Sequence, residues 1–111
     1  MLMLDKVRER ADEFDILHFH IDYLHFPMFR TEVGRTITTL HGRQDLTDHM
    51  QFYRRFSDMP LVSISNAQRK PLPQANFVAT VYHGLPVDLL NSTFEPLGGY
   101  LAFLGRISPE K

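Results

Sequence analysis

The sequence predicts an α/β protein built on a parallel sheet. Short apolar runs rich in β-branched and aromatic residues alternate along the chain with amphipathic segments of helical periodicity. Several of these runs are apolar on both faces, as expected for strands of a parallel sheet that helices cover. No internal repeat interrupts the alternation. We therefore expect a doubly wound, Rossmann-like sheet.

Each element has its own signal in the sequence. The predicted helices carry apolar residues three or four positions apart, whereas the strands are short β-branched or aromatic runs. Pro27 must lie in the first turn of its helix or break it, and Thr47 can cap the next helix. Pro71 and Pro73 cut a short later helix off. In chain order the predicted elements are helix 2–11, strand 14–20, helix 23–32, strand 35–41, helix 47–56, strand 61–65, helix 66–70, strand 77–82 and strand 100–104.

Composition narrows the class of protein. The 111-residue chain has 12 Lys and Arg against 13 Asp and Glu, a net charge of −1, which gives no electrostatic reason to expect a nucleic-acid partner. The lack of cysteine excludes disulfides and thiolate metal sites, and it fits a cytoplasmic location. No signal peptide is recognisable, and no apolar run reaches the ~18 residues of a spanning helix. We expect a soluble protein without a transmembrane segment.

Polar residues collect where the predicted strands end. In an open parallel sheet, ligands bind beyond the carboxyl ends of the strands. Because these residues fall at the strand ends rather than along helix faces, they predict a binding site at that edge. They are His18 and His20 with Asp22, then His41-Gly42-Arg43, Ser65-Asn66, His83-Gly84, and Gly105-Arg106 with Lys111.

The histidines do not all invite the same interpretation. His18 and His20 lie two apart and share one strand face, which favours a structural or supporting role. A histidine metal site made with His41 is an alternative, although no further ligand accompanies the pair at a diagnostic spacing. His25 and His49 are expected on helical or loop surface. Because His18 and His20 lack a further ligand at a diagnostic spacing, we expect no metal.

His41 is the leading functional candidate by position. A strand running into His41-Gly42-Arg43 brings an imidazole and a guanidinium to the binding edge. His83 either joins the site or shapes the turn into the next segment. Arg106 and Lys111 can hold a diphosphate between them, although solvated surface cations are the simpler interpretation of that spacing.

The final dodecamer, residues 100–111 (YLAFLGRISPEK), resembles the opening of the C-terminal domain of family-four glycosyltransferases. These are retaining enzymes with the two-domain GT-B architecture. Residues 14–20, 38–42, 61–67 and 81–88 resemble, in the same order, stretches that precede that opening in the family. The resemblance therefore covers nearly the whole chain.

The resemblance implies roles for particular residues. Arg106 and Lys111 would hold the donor diphosphate, and His41 would face the transferred sugar. The family places Arg43 and His83 only near the cleft; with Gly42 and Gly105 they complete the expected substrate-binding set. The implied partners are a nucleotide-diphosphate sugar and a hydroxyl acceptor, with no cofactor.

The resemblance also implies a domain division. Residues 1–84 would be the second half of an N-terminal Rossmann-like domain and 100–111 the first strand and loop of a truncated C-terminal one. The segment 85–99, with Pro86, Pro96 and a Gly98-Gly99 pair, is typical of a linker. The family's glycine-rich loop and paired glutamates have no counterpart, so we expect a fragment that is inactive alone, or one that joins a complementary chain or a second copy. A non-catalytic α/β interaction module is the alternative.

Overall fold

The computed structural model describes residues 2–89, 95, 98–105 and 107, and it confirms the α/β class. Helices and strands alternate through residue 80. In chain order they are α1 (Leu2–Glu9), a 3₁₀ turn (Ala11–Glu13), β1 (Leu17–Phe19), α2 (Phe26–Phe29), a second 3₁₀ segment (Arg30–Arg35), β2 (Thr36–Thr39), α3 (Thr47–Arg55), β3 (Leu61–Ser63), α4 (Asn66–Arg69) and β4 (Phe77–Thr80).

The four strands form one sheet in the order β1-β2-β3-β4, and every pair is parallel. Leu17 is opposite Thr36, Thr38 is opposite Leu61, and Leu61 is opposite Phe77. Because consecutive strands are neighbours and parallel crossovers are right-handed, the connecting helices fall on one face of the sheet. The described strands therefore have the one-directional order of one half of a doubly wound sheet.

Two apolar clusters lie between the sheet and its helices. Alternation along β1 turns Leu17 and Phe19 toward the helices, where both are buried. The first cluster joins α1 to β1 and α2, and its buried members are Leu4, Ala11, Leu17, Phe19 and Phe29. The second lies under α2, α3 and the end of α4, and its buried members are Phe26, Leu40, Tyr53, Met59, Leu61 and Leu72.

The opposite face of the sheet contributes no residue to either cluster. Ile16, which precedes β1, is 60% exposed, and Val81, which follows β4, is equally exposed. His18, on the same face as Ile16, is also exposed. The side chains on this face are thus left partly or wholly open to solvent at both edges of the sheet.

Local details confirm some predictions and correct others. Pro27 lies in the first turn of α2, which is the first of the two alternatives for this proline. Thr47 is the first residue of α3 rather than its cap, and Leu46 in the cap position makes no side-chain hydrogen bond. The real capping residue is Ser65, whose hydroxyl accepts a hydrogen bond from the Gln68 amide at 3.1 Å. All four strands are shorter than predicted.

The prediction of a strand at residues 100–104 is wrong. These residues pair with no strand in the part of the chain that the structure describes, and a strand needs a neighbour to satisfy its backbone groups. Tyr100 is 81% exposed, and Leu101 and Leu104 are fully exposed. The described residues of the segment 85–99 form no helix or strand either. Within the described ranges no helix has the length and apolar character needed to cross a membrane.

Candidate functional site

Strand β1 delivers two histidines to the open face of the sheet. Because Leu17 and Phe19 anchor the strand from the helix side, His18 and His20 project from the other side. Their ring centroids are 4.4 Å apart. The Nε2 atom of His18 lies 2.8 Å from the Thr39 hydroxyl of β2, which fixes the first ring against the neighbouring strand.

His41 continues the row from the end of β2. The buried Leu40 holds this strand end, because its amide donates to the Val62 carbonyl of β3 at 3.0 Å. The Nε2 atom of His41 lies 2.8 Å from the Nδ1 atom of His20. The two rings are also stacked, with centroids 5.1 Å apart and an angle of 26° between their planes. The first and second strands are thus bridged by a direct imidazole–imidazole hydrogen bond.

His83 completes the row from beyond β4. Its Nε2 atom lies 3.3 Å from the Nδ1 atom of His41, and the two rings stack at 5.4 Å with an angle of 28°. We call His18, His20, His41 and His83 the histidine ladder. All four residues are exposed. The structure therefore unites His41 and His83, both expected at the site, with the pair expected only to support it.

The ladder can exchange protons with solvent and with bound hydroxyls. A neutral imidazole has one donor and one acceptor nitrogen, so each ring that bonds to a neighbour sets that neighbour's tautomer. Both nitrogens of His41 are occupied in this way. Burial lowers the pKa of His18, and the like charges of His20 and His41 lower it further. Among the described residues, no carboxylate forms an ion pair with any ladder ring.

Gln68 of α4 supports this edge, and it was not among the predicted site residues. Its side-chain amide donates to the Leu40 carbonyl at 3.1 Å and to the Gly42 carbonyl at 2.7 Å. Its Oε1 atom accepts from the Ile64 amide at 2.9 Å. One side chain thus ties the ends of β2 and β3 on either side of His41. The Ser-x-x-Gln pattern that begins at Ser65 is the capping-box signal that identifies this glutamine in the sequence.

The loop after His41 is held by its own contacts. The Gly42 carbonyl accepts a second hydrogen bond, from the side-chain amide of Gln44 at 3.1 Å. A Cβ added at Gly42 would meet open space. Arg43 forms a two-pronged ion pair with Asp45, with Nη2 2.6 Å from Oδ2. This hydrogen bonding is the largest cause that keeps the pKa of Asp45 below its usual value. The Arg43 guanidinium therefore stabilises its own loop.

His25 was predicted on the surface, and that prediction is wrong. The residue is fully buried, its ring is stacked 3.8 Å from that of Phe19, and its Nε2 atom lies 2.9 Å from the Thr38 hydroxyl. Burial lowers its pKa to about 4. His49 is half-buried on α3, where its ring meets that of Tyr23 edge-on at 4.9 Å.

The predicted diphosphate residues, Arg106 and Lys111, lie outside the described residues. Gly105 precedes Arg106 in the sequence, and a Cβ added at Gly105 would come within 2.9 Å of the Phe103 ring. In the described ranges, no group of three or more metal-ligating side chains is placed to hold a metal ion. The alternative of a metal site on His18, His20 and His41 therefore has no geometric support in this part of the chain.

No protein-family model matches the chain, and no curated protein matches it. A function is therefore proposed from the geometry of the histidine ladder, together with the resemblance of residues 100–111.

Proposed function

We propose that this chain forms part of a retaining glycosyltransferase of the GT-B type and provides the wall of the cleft that faces the transferred sugar. The observation that supports this most is the position of His41. It is exposed at the carboxyl end of a central strand in an all-parallel sheet, which is the edge where such sheets bind ligands. Gln68 fixes the backbone on both sides of this residue through the Leu40 and Gly42 carbonyls.

The two hydrogen bonds of His41 suggest how a sugar would enter. Its contact with His20 is short at 2.8 Å, whereas its contact with His83 is 3.3 Å, near the limit of a hydrogen bond. A sugar hydroxyl would therefore replace His83 at the Nδ1 atom of His41 and leave the bond to His20 intact. His20 would then hold the ring in the orientation that the hydroxyl requires.

The diphosphate would be bound by Arg106 and Lys111. During transfer, the bond between the anomeric carbon and the diphosphate oxygen breaks, and a bond to the acceptor hydroxyl oxygen forms. The departing diphosphate oxygen takes the bonding electron pair and accepts the proton that the acceptor hydroxyl loses. Cations already in place would stabilise the negative charge that grows on the departing group.

Calorimetric titration of the chain with UDP, GDP and ADP tests this proposal. We expect weak binding, millimolar at best, because the sequence lacks the family's glycine-rich loop and paired glutamates. The Arg106→Ala and Lys111→Ala variants should abolish it. Arg54→Ala, which removes a cation from α3 instead, is the matched control and should bind like the parent chain.

Binding of a nucleotide sugar should also change the surroundings of the His41 ring. The ring signals of His41 should shift in nuclear magnetic resonance spectra when the matching nucleotide sugar is added, while those of His49 should not. If none of the three nucleotides binds to a chain that circular dichroism shows to be folded, the proposal is wrong.

The alternative function is that of a non-catalytic α/β interaction module. The exposed apolar residues on the second face of the sheet favour it, since both faces of a parallel sheet are usually covered. Val78 is 54% exposed in β4, and Val81 is 60% exposed just after it. A folded chain without nucleotide affinity would support this alternative.

A further inference from the structure

Within the histidine ladder, His20, His41 and His83 are joined ring to ring by hydrogen bonds, and these three rings have a fixed number of places for protons. His20, His41 and His83 have six ring nitrogens, and four of these meet in the two bonds between rings. When all three rings are neutral, they share three protons. Two protons lie in the bonds between rings, so the outer nitrogens, Nε2 of His20 and Nδ1 of His83, present one donor and one acceptor.

One added proton changes what the ladder presents. With four protons on six nitrogens, both bonds between rings are kept and both outer nitrogens become donors. The unit then has a positive charge shared along a row of stacked rings. Each outward N–H group, at one end of the row, then suits an acceptor oxygen that carries negative charge.

The part of the chain that the structure describes offers this charge no paired carboxylate. Ionisable groups occur on each neighbouring element, yet none of the carboxylates among the described residues makes an ion pair with a ladder ring. The Asp45 carboxylate is already paired with Arg43. The neighbouring groups are His18 on β1, Asp22 after it, Lys6, Glu9 and Arg10 of α1 across the groove that His18 and His20 line, Arg43 and Asp45 after β2, and Arg69 of α4, which donates to the Thr80 hydroxyl.

We propose that His20, His41 and His83 form an anion-binding site that protonation switches on, and that its ligand is a phosphate group, either free or carried on an organic molecule. This site does not depend on the chain being part of a glycosyltransferase. With the added proton these rings bind the anion, and without it they present one donor and one acceptor, which suits hydroxyl groups instead.

Titration of the chain with inorganic phosphate near pH 5.5 and near pH 8 tests the site. Since histidine changes charge between about pH 5 and 8, we expect binding at least about tenfold tighter at the lower pH. The sign is diagnostic, because inorganic phosphate gains negative charge between the two pH values of the titration. A site made of permanently charged cations would therefore bind phosphate more tightly at the higher pH.

Variants separate the ladder from other cations. His41→Asn removes the central ring and should abolish the pH-dependent binding, and so should His83→Asn, which alters only an exposed residue beyond β4. His49→Asn, on α3, should leave it unchanged. Arg54→Ala, which removes a cation from α3, should also leave it unchanged.

A comparison with a sugar phosphate identifies the source of the phosphate. Tighter binding of glucose 1-phosphate than of inorganic phosphate would indicate a carried group, and equal binding would indicate the free ion. Equal phosphate affinity at both pH values, tighter binding near pH 8, or retention of the pH-dependent binding in both ladder variants would overturn the proposal.

Discussion

The Nδ1 atom of His20 and the Nε2 atom of His41 lie 2.8 Å apart, so two neighbouring strand ends share a hydrogen bond between imidazoles. Such a bond lets one ring dictate where its neighbour carries a proton. Any ligand that binds His41 therefore contacts a ring whose orientation is already fixed by His20.

Replacing His20 should therefore change the tautomer of His41. In His20→Ala the Nε2 atom of His41 loses its partner, and a net hydrogen-bond energy of about 1 kcal/mol corresponds to a roughly fivefold change in tautomer ratio. Long-range ¹H–¹⁵N spectra of the imidazole rings measure this ratio directly. His49→Ala is the control, and an unchanged His41 pattern in His20→Ala would contradict the assigned bond.

Gln68 should stabilise the chain more than a surface glutamine does. Gln68→Ala removes bonds to the Leu40 and Gly42 carbonyls and to the Ile64 amide, and we expect it to lower the free energy of unfolding by about 1–3 kcal/mol. Urea denaturation measures the loss. Gln51→Ala, at an exposed position of α3, should change stability by less than about 0.5 kcal/mol. Equal effects of the two substitutions would show that Gln68 does not hold the strand ends.

The buried His25 should make the fold sensitive to acid. Its pKa is about 4 in the folded chain, below the ordinary value of about 6.5, because burial disfavours the charged ring. The unfolded chain therefore takes up this proton first as the pH falls. The stability present above about pH 6.5 should decline toward pH 4, by up to about 3 kcal/mol.

Unfolding curves across this pH range check the effect of His25. His25→Leu should be less stable at neutral pH, since it loses the bond to Thr38, but its stability should fall less steeply with acid. His49→Leu should keep the slope of the parent chain. A slope that is the same in His25→Leu as in the parent would rule out His25 as its source.

Tyr53 carries a buried hydroxyl that has no hydrogen-bond partner among the described residues. Burial also raises the pKa of this phenol, so the group stays neutral. Removing an unpaired buried hydroxyl relieves its desolvation cost, and Tyr53→Phe should stabilise the chain by about 1 kcal/mol. Thermal unfolding measures the gain, with the exposed Tyr82→Phe as a control that should have no effect. A loss of stability in Tyr53→Phe would mean that the hydroxyl has a bonding partner.

The positions of the strands could be predicted because their signals are local. A β-branched run such as Thr36–Thr39 reveals itself without its neighbours, and it lies inside the predicted range 35–41. The predicted strands extend too far because the hydrogen bonding between two strands stops where the shorter strand ends. The strand length is therefore a property of the pair. The prediction at 100–104 failed for the same reason, since an apolar run alone does not supply a neighbouring strand.

The contacts of the site were only partly predictable. The rule that ligands meet the carboxyl ends of parallel strands brought His41 and His83 to one edge, and the structure places them there. Their direct bonding joins residues 42 positions apart, which no local pattern encodes. The burial of His25 was missed for a similar reason, because its partners Phe19 and Thr38 come from two different strands.

The parallel register that sets Leu17 opposite Thr36 has a practical consequence. A slip of β2 by a single residue would turn Thr39 and His41 toward the helices and separate every imidazole contact between the first two strands. The nuclear magnetic resonance signals of the His20 and His41 rings therefore report whether the first two strands are in the correct register. They can be followed in refolding experiments or in any variant without an added label.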